Sequence, residues 1–168
     1  MDTTAARLGL KTPIRHQLFI DGEFTDALSG ETLATLNPHD NTVLANVALA
    51  AQADVDRAIT ASHKAFSSWS RMPAAERGRI LLKLADLIEV NTEELARLES
   101  LDTGHPLRDS LILDVPRTAG CYRYFGGMAD KFQGETIPVE AGFLNYTLRE
   151  PVGVVGQVVP WNFPLMFT

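Results

Sequence analysis

One stretch near the end of the 168-residue chain restricts the fold more than any other: Val152-Gly-Val-Val-Gly-Gln-Val-Val159, closed by Pro151 and Pro160. A Val-rich run without polar alternation, bounded by proline, reads as a strand buried on both faces. Pro160 ends it and opens into Trp161-Asn162-Phe163-Pro164, with an apolar segment following. Open α/β proteins place ligands at the carboxyl ends of such strands, in the loop before the next helix. An apolar strand that delivers one amide side chain, Asn162, into that loop is a candidate reaction centre.

Bulk properties exclude several alternatives. With 45% hydrophobic residues, the chain has the composition of a globular protein with a real core. A formal charge of −6, with no Lys/Arg run, argues against a nucleic-acid surface. No apolar stretch approaches the ~18 residues a membrane span needs. Met1 to Gln17 has basic residues but no apolar h-region, so it reads as a frayed tail rather than a secretory signal. A single cysteine, Cys121, excludes an internal disulfide and suits a reducing cytoplasm. Because the chain stops at Thr168 inside an apolar segment, the expectation is a fragment of a longer protein.

The first fifty residues read as short antiparallel pieces. Asp21-Gly22 between apolar residues is a hairpin signal, Ser29-Gly30 marks a turn, Asn37-Pro38 closes a segment, and Val43 to Val47 is a further strand. The middle is helical. From Asp54, apolar positions recur through Trp69, with Asp54 and Asp56 suited to the positive end of the helix dipole. Pro73 opens a second helix whose expected buried stripe is Ile80, Leu81, Leu84, Leu87 and Ile88. Asn91 and Glu94 have capping-box spacing for a third helix, which Gly104 and Pro106 end. Another helix runs from Leu107, bends near Pro116 and continues to Phe132. Leu144, Tyr146 and Leu148 then alternate with polar residues, the pattern of a half-buried antiparallel strand.

The chemistry-bearing residues are few. His16, His39, His63 and His105 lie in separate segments without a Cys or second His at ligand spacing, so no metal set is expected. Cys121, in a predicted helix, reads as a buried, inert thiol; Arg123 two residues on points away from it. Gly153 and Gly156 lack the spacing of a dinucleotide fingerprint or a P-loop. For Asn162 two readings stand open. It is a good N-cap ahead of Pro164, and its NH₂ is equally able to donate to an oxyanion at the strand end.

The segment Glu150-Pro-Val-Gly-Val-Val-Gly-Gln-Val-Val-Pro-Trp-Asn-Phe-Pro164 closely resembles the one that identifies the NAD(P)-dependent aldehyde dehydrogenase superfamily. Phe19-Ile-Asp-Gly-Glu-Phe24, Asn37-Pro38, Leu101-Asp-Thr-Gly-His-Pro106, Gly134-Glu-Thr-Ile-Pro138 and Tyr146-Thr-Leu-Arg-Glu-Pro151 follow in family order. The resemblance covers nearly everything after residue 17. It implies oxidation of an aldehyde to a carboxylic acid with NAD or NADP, through a cysteine thiohemiacetal and a thioester that a glutamate-activated water hydrolyses. Asn162 matches the oxyanion donor and is the implied catalytic residue. Val158, Val159, Pro160, Trp161 and Asn162 match the cofactor cleft, and Phe163 and Phe167 the substrate tunnel. Family members often bind an alkali cation near positions matching Leu36 and Asp102. Cys121 matches no catalytic position.

The resemblance implies a partial aldehyde dehydrogenase-like α/β fold. Residues 1–17 would be a flexible tail and 18–137 the N-terminal part of a Rossmann-like NAD(P)-binding domain, with a short β-hairpin at its start. Residues 138–151 would belong to an antiparallel oligomerisation sheet, and 152–168 to the cofactor-domain core strand and its Pro-Trp-Asn-Phe-Pro loop. The catalytic domain would lie outside the chain. The implied parent is a cytoplasmic homo-oligomer, a dimer or tetramer, with an aldehyde substrate and neither nucleic acid nor membrane as partner; the chain alone is expected to be inactive. The competing expectation is a non-catalytic structural or interaction module that keeps part of the fold. Sequencing the reading frame beyond Thr168 separates the two. A cysteine in a Gly/Gln-rich setting with a glutamate upstream is expected, and a continuation lacking both overturns the enzyme reading.

Overall fold

The structure is a computed structural model that describes residues 9–10 and 14–168. Most of the expected N-terminal tail therefore lies outside the described residues. The chain begins with two antiparallel hairpins. In the first, β1 (Leu18–Ile20) pairs with β2 (Glu23–Thr25), with Ile20 opposite Glu23. The two turn residues, Asp21 and Gly22, both have positive φ, 53° and 83°, as a type I′ turn requires. In the second, β3 (Thr32–Leu36) pairs with β4 (Val43–Ala48). Asn37 shapes the loop between them: its side-chain oxygen accepts from the His39 N–H at 3.0 Å, and its N–H donates to the Thr42 carbonyl at 2.9 Å.

Helix α1 (Gln52–Trp69) follows. Asp54 does more here than complement a dipole. It is 1% exposed, and its two oxygens accept from the Ala51 and Leu28 N–H groups, both at 3.1 Å. One carboxylate thus satisfies an orphan donor of the helix start and pins the loop after β2 to it. Helix α2 (Ala74–Val90) starts directly after Pro73, and α3 (Thr92–Thr103) ends at Gly104, whose φ of 82° provides the left-handed cap. The expected capping box at Asn91 does not form. The Asn91 side-chain amide turns back to donate to the Leu87 carbonyl at 2.8 Å, which also accepts from the Asn91 backbone N–H at 3.2 Å.

The bend near Pro116 takes a specific form. α4 (Leu107–Asp109) runs into a π-helical turn, Ser110–Asp114, and then into α5 (Val115–Met128), which stops short of the expected Phe132. The Val115 N–H reaches back five residues to the Ser110 carbonyl. A proline in a regular helix clashes with the carbonyl four residues earlier, and the widened turn relieves that clash.

The core lies where α2, α3 and α5 meet: Ala85, Ile88, Ala96, Val115 and Ala119, with Leu95, Leu111, Tyr122 and Leu165 packed against it. The buried face of α2 differs from the expected stripe. Gly78, Ala85 and Ile88 are buried, whereas Ile80, Leu84 and Leu87 are exposed. Small residues win because α2 and α5 approach backbone to backbone. A Cβ on Gly78 would lie 2.5 Å from the Gly126 carbonyl oxygen, and one on Gly126 would lie 3.0 Å from that of Gly78. Arg123 closes the flank of this crossing, 3.1 Å from Asp86 and 2.7 Å from Glu89. Cys121, expected to be buried, is exposed. The inward face of α5 runs through Val115, Thr118, Ala119 and Gly126, and Cys121 lies off it.

The last part of the chain departs most from expectation. Residues 150–160 form no strand, and Val152 and Val158 are fully exposed. A strand buried on both faces needs neighbours along both edges, and no described residue pairs with this stretch. The half-buried strand expected at 143–150 shrinks to β6 (Asn145–Tyr146), paired with β5 (Thr136–Ile137). Its intended apolar face is open, with Leu144 78% and Leu148 70% exposed. The chain ends in a short helix, α6 (Pro164–Phe167).

Gly78→Ala should destabilise the protein by about 1–3 kcal/mol, since neither backbone can yield cheaply. Gly127→Ala is the control: nothing lies within 4 Å of a Cβ there, and the exchange should be neutral or stabilising by up to ~1 kcal/mol. Thermal midpoints of the two variants compared with wild type check the pair.

Candidate functional site

The site is built on α6 and the turn before it. Pro164 occupies the first helical turn, where its missing N–H is no loss. The N-terminal flanking residue is Phe163, and no side chain caps the helix. Asn162 is exposed, one residue earlier in a turn, and its amide bonds to no described residue. The capping reading is therefore not realised.

Two contacts seat α6. Leu165 packs against the helical core, and the Phe163 ring meets the His105 ring at a centroid distance of 5.0 Å and an interplanar angle of 64°. The Phe167 N–H donates to the Phe163 carbonyl at 3.2 Å, so the two expected tunnel residues lie one turn apart. The expected cofactor residues are arranged differently. Val158, Val159, Pro160 and Trp161 are exposed along an open segment, and among the described residues nothing packs them into a cleft.

Behind Phe163 lies a cluster that spacing along the chain did not reveal. Glu99, His105 and Asp114 each offer a ligand-type atom, all within 4.8 Å of one another. His105 Nδ1 lies 2.9 Å from Asp114 Oδ2, which also accepts from Ser110 Oγ at 3.0 Å. The backbone of His105 is held on both sides: its N–H donates to Thr103 Oγ1 at 3.2 Å, and its carbonyl accepts from Ser100 Oγ at 2.7 Å. Thr118 Oγ1 donates to the Asp114 carbonyl at 2.8 Å. Three elements thus converge around His105 and Asp114: the end of α3, the π turn and the start of α5. Separations of six and nine residues lie off the three- and four-residue spacings of a helical face. The usable signal was the proline that forces the π turn and swings Asp114 inward.

Glu99 is the uncompensated member. It is 6% exposed, and its Oε1 finds no partner among the described residues. Burial, then the nearby Asp114 charge, push its carboxyl above the ordinary 4.5, against the opposing pull of His105 and the Leu165 N–H. It also lines a cavity of about 350 Å³ with Thr35, Leu44, Leu98, Asp102 and Leu165. Within that wall Thr35 Oγ1 donates to Asp102 Oδ1 at 2.7 Å, beside Leu36.

The raised value means that the folded protein holds the Glu99 proton more tightly than the unfolded chain. This contribution to stability is complete below 4.5 and is lost as pH rises through the folded-state value. Glu99→Gln should therefore gain stability relative to wild type as pH increases from 4 to 8. Thermal midpoints across that range measure it, and parallel curves for the two proteins would show that Glu99 carries no such penalty.

Residues 24–168 match the model of the aldehyde dehydrogenase family. The mitochondrial aldehyde dehydrogenase of Equus caballus is 48% identical over 154 residues, which cover 90% of this chain and 31% of that protein. The mitochondrial benzaldehyde dehydrogenase of Antirrhinum majus is 42% identical, over 97% of this chain and 32% of its own length. Among solved structures, PnpE from Pseudomonas sp. WBC-3, crystallised in one case with nicotinamide adenine dinucleotide, is 62% identical with a TM-score of 0.89; the match covers 92% of this chain and 32% of that one. The indole-3-acetaldehyde dehydrogenase AldA of P. syringae, in complex with NAD+ and IAA, is 42% identical with a TM-score of 0.90, over 98% of this chain and 33% of that one. The chain thus spans about a third of the length of the relatives it matches. A family match over most of the chain, together with the same backbone in solved members, makes this chain a member of the aldehyde dehydrogenase family.

Proposed function

We propose that the protein to which this chain belongs oxidises an aldehyde to a carboxylic acid with NAD+ or NADP+, and that Asn162 donates to the oxyanion formed on the substrate carbonyl. One observation carries the reading. The Asn162 amide stands exposed and unbonded at the mouth of α6, caps nothing, and is available to an incoming oxygen. A donor held ready for a developing negative charge needs no reorganisation when the charge appears.

The nicotinamide cofactor, when bound, accepts hydride from the substrate carbon. Toward it this chain contributes a wall: Val158, Val159, Pro160 and Trp161 present apolar surface, unpacked within the chain, next to Asn162. Such a surface suits the flat face of an aromatic ring and keeps water from the reacting carbon. The NAD bound by PnpE and by AldA supports the assignment. Phe163 and Phe167 flank the route of the aldehyde. Cys121 matches no catalytic position of the family, so residues 1–168 alone supply an oxyanion donor without an attacking group and are inactive.

The domain division follows the same reading. Residues 18–137 form the first part of the cofactor domain, and 138–151 a strand arm that joins subunits. The bare Phe143, Leu144 and Leu148 surface supports that role, and the parent is a homo-oligomer. No helix among the described residues is long and apolar enough to cross a membrane. The cytoplasmic assignment rests on the lone cysteine.

In the complete enzyme, Asn162→Ala should lower kcat by about 10²–10³ with the KM for the cofactor little changed. Steady-state aldehyde oxidation followed by NAD(P)H absorbance reads this directly. Wild-type kcat in the variant would remove Asn162 from the reaction.

A further inference from the structure

We propose that His105 is a positioning residue for Asn162, acting through the Phe163 ring; the proposal rests on the oxyanion role of Asn162. The turn that carries Asn162 leads into two seated residues: Leu165 packs against the core, and Phe163 rests on the His105 ring at 5.0 Å. Asn162 is bonded directly to the residue that makes the ring contact, so its direction follows that seat. Pro164 keeps the backbone of Phe163 out of the helical region, at φ −144° and ψ 61°, and the side chain so placed meets the His105 ring.

The support behind His105 is unusually complete. Its ring meets Asp114 through Nδ1, and its backbone is held by Thr103 at the N–H and by Ser100 at the carbonyl, so the residue is fixed at three points from two segments. Asp114 is itself fixed by Ser110. A residue held at both its backbone and its ring does not merely fill space. It transmits the geometry of the π turn to the peptide that aims the amide. Misplacing a catalytic group by about 1 Å from outside the chemistry is enough to lower a rate up to ~10²-fold.

The test is a double-mutant cycle in the complete enzyme. His105→Ala should lower kcat about tenfold and leave the KM for NAD+ within about twofold of wild type. In the Asn162→Ala background, the same change should lower kcat less than about twofold, because the donor it positions is gone. A residue that only supports the fold would cost the same factor in both backgrounds, and that result overturns the proposal, as does an unchanged kcat in His105→Ala. Should His105→Ala fail to fold, His105→Gln enters the cycle with the same expectations. Its amide can still donate to the buried Asp114 carboxylate, while the ring edge on Phe163 is lost. Wild-type kcat in Asn162→Ala alone would instead refute the oxyanion role itself and take this proposal with it. The two failures are therefore distinguishable.

Discussion

The approach on which the site depends is between two carbonyl groups and two missing side chains. α2 and α5 cross where Gly78 and Gly126 face each other, so near that a single Cβ on either meets the opposite backbone. Everything that positions the site hangs from this crossing. It brings Ala85 and Ile88 against Val115 and Ala119, and the resulting core accepts Ala96 from α3 and Leu165 from α6. Close approach lets small side chains form a dense interior, which explains why Ile80, Leu84 and Leu87 of α2 stand outside it.

The second constraint is Pro116. A proline inside a helix ordinarily breaks or kinks it, and here the chain widens by one residue into a π turn. The widening carries Ser110 and Asp114 to the inner side, where both are buried and bonded to each other. Asp114 then captures His105 from the loop after α3, and His105 carries the Phe163 ring. A local answer to a steric clash thereby reaches the turn that bears Asn162. Glu99 completes the cluster with one oxygen unpaired, which is why burial raises its affinity for a proton.

Features set by neighbours along the chain were legible from the residues. Asp21-Gly22 forms the hairpin turn, Asn37-Pro38 ends β3, Gly104 caps α3 and Pro164 opens α6, each for a reason contained within four or five residues. Features that depend on a partner elsewhere were not. Asn91 has capping-box spacing, yet the preceding helix end competes for its amide and wins. Cys121 is apolar enough to be expected inside, but the crossing with α2 decides which face of α5 turns inward. Val152 to Val159 has the composition of a two-sided strand and remains unpaired, because hydrogen-bond ladders are made by neighbouring strands and not by propensity.

By itself, the amino-acid sequence determined the order of the elements, the turns between them, and a chemical signature specific enough to place the chain in its family. Those properties are local or cumulative, and need no knowledge of which surfaces meet. Tertiary structure alone decided which face of each helix is buried, and that three residues as separated as Glu99, His105 and Asp114 share one pocket. It also decided that Asn162 is left free rather than used as a cap. The physical reason is the same in each case. Periodicity records that a side chain will leave water, while the identity of what it meets depends on how backbones approach, and here two glycines and one proline set that approach.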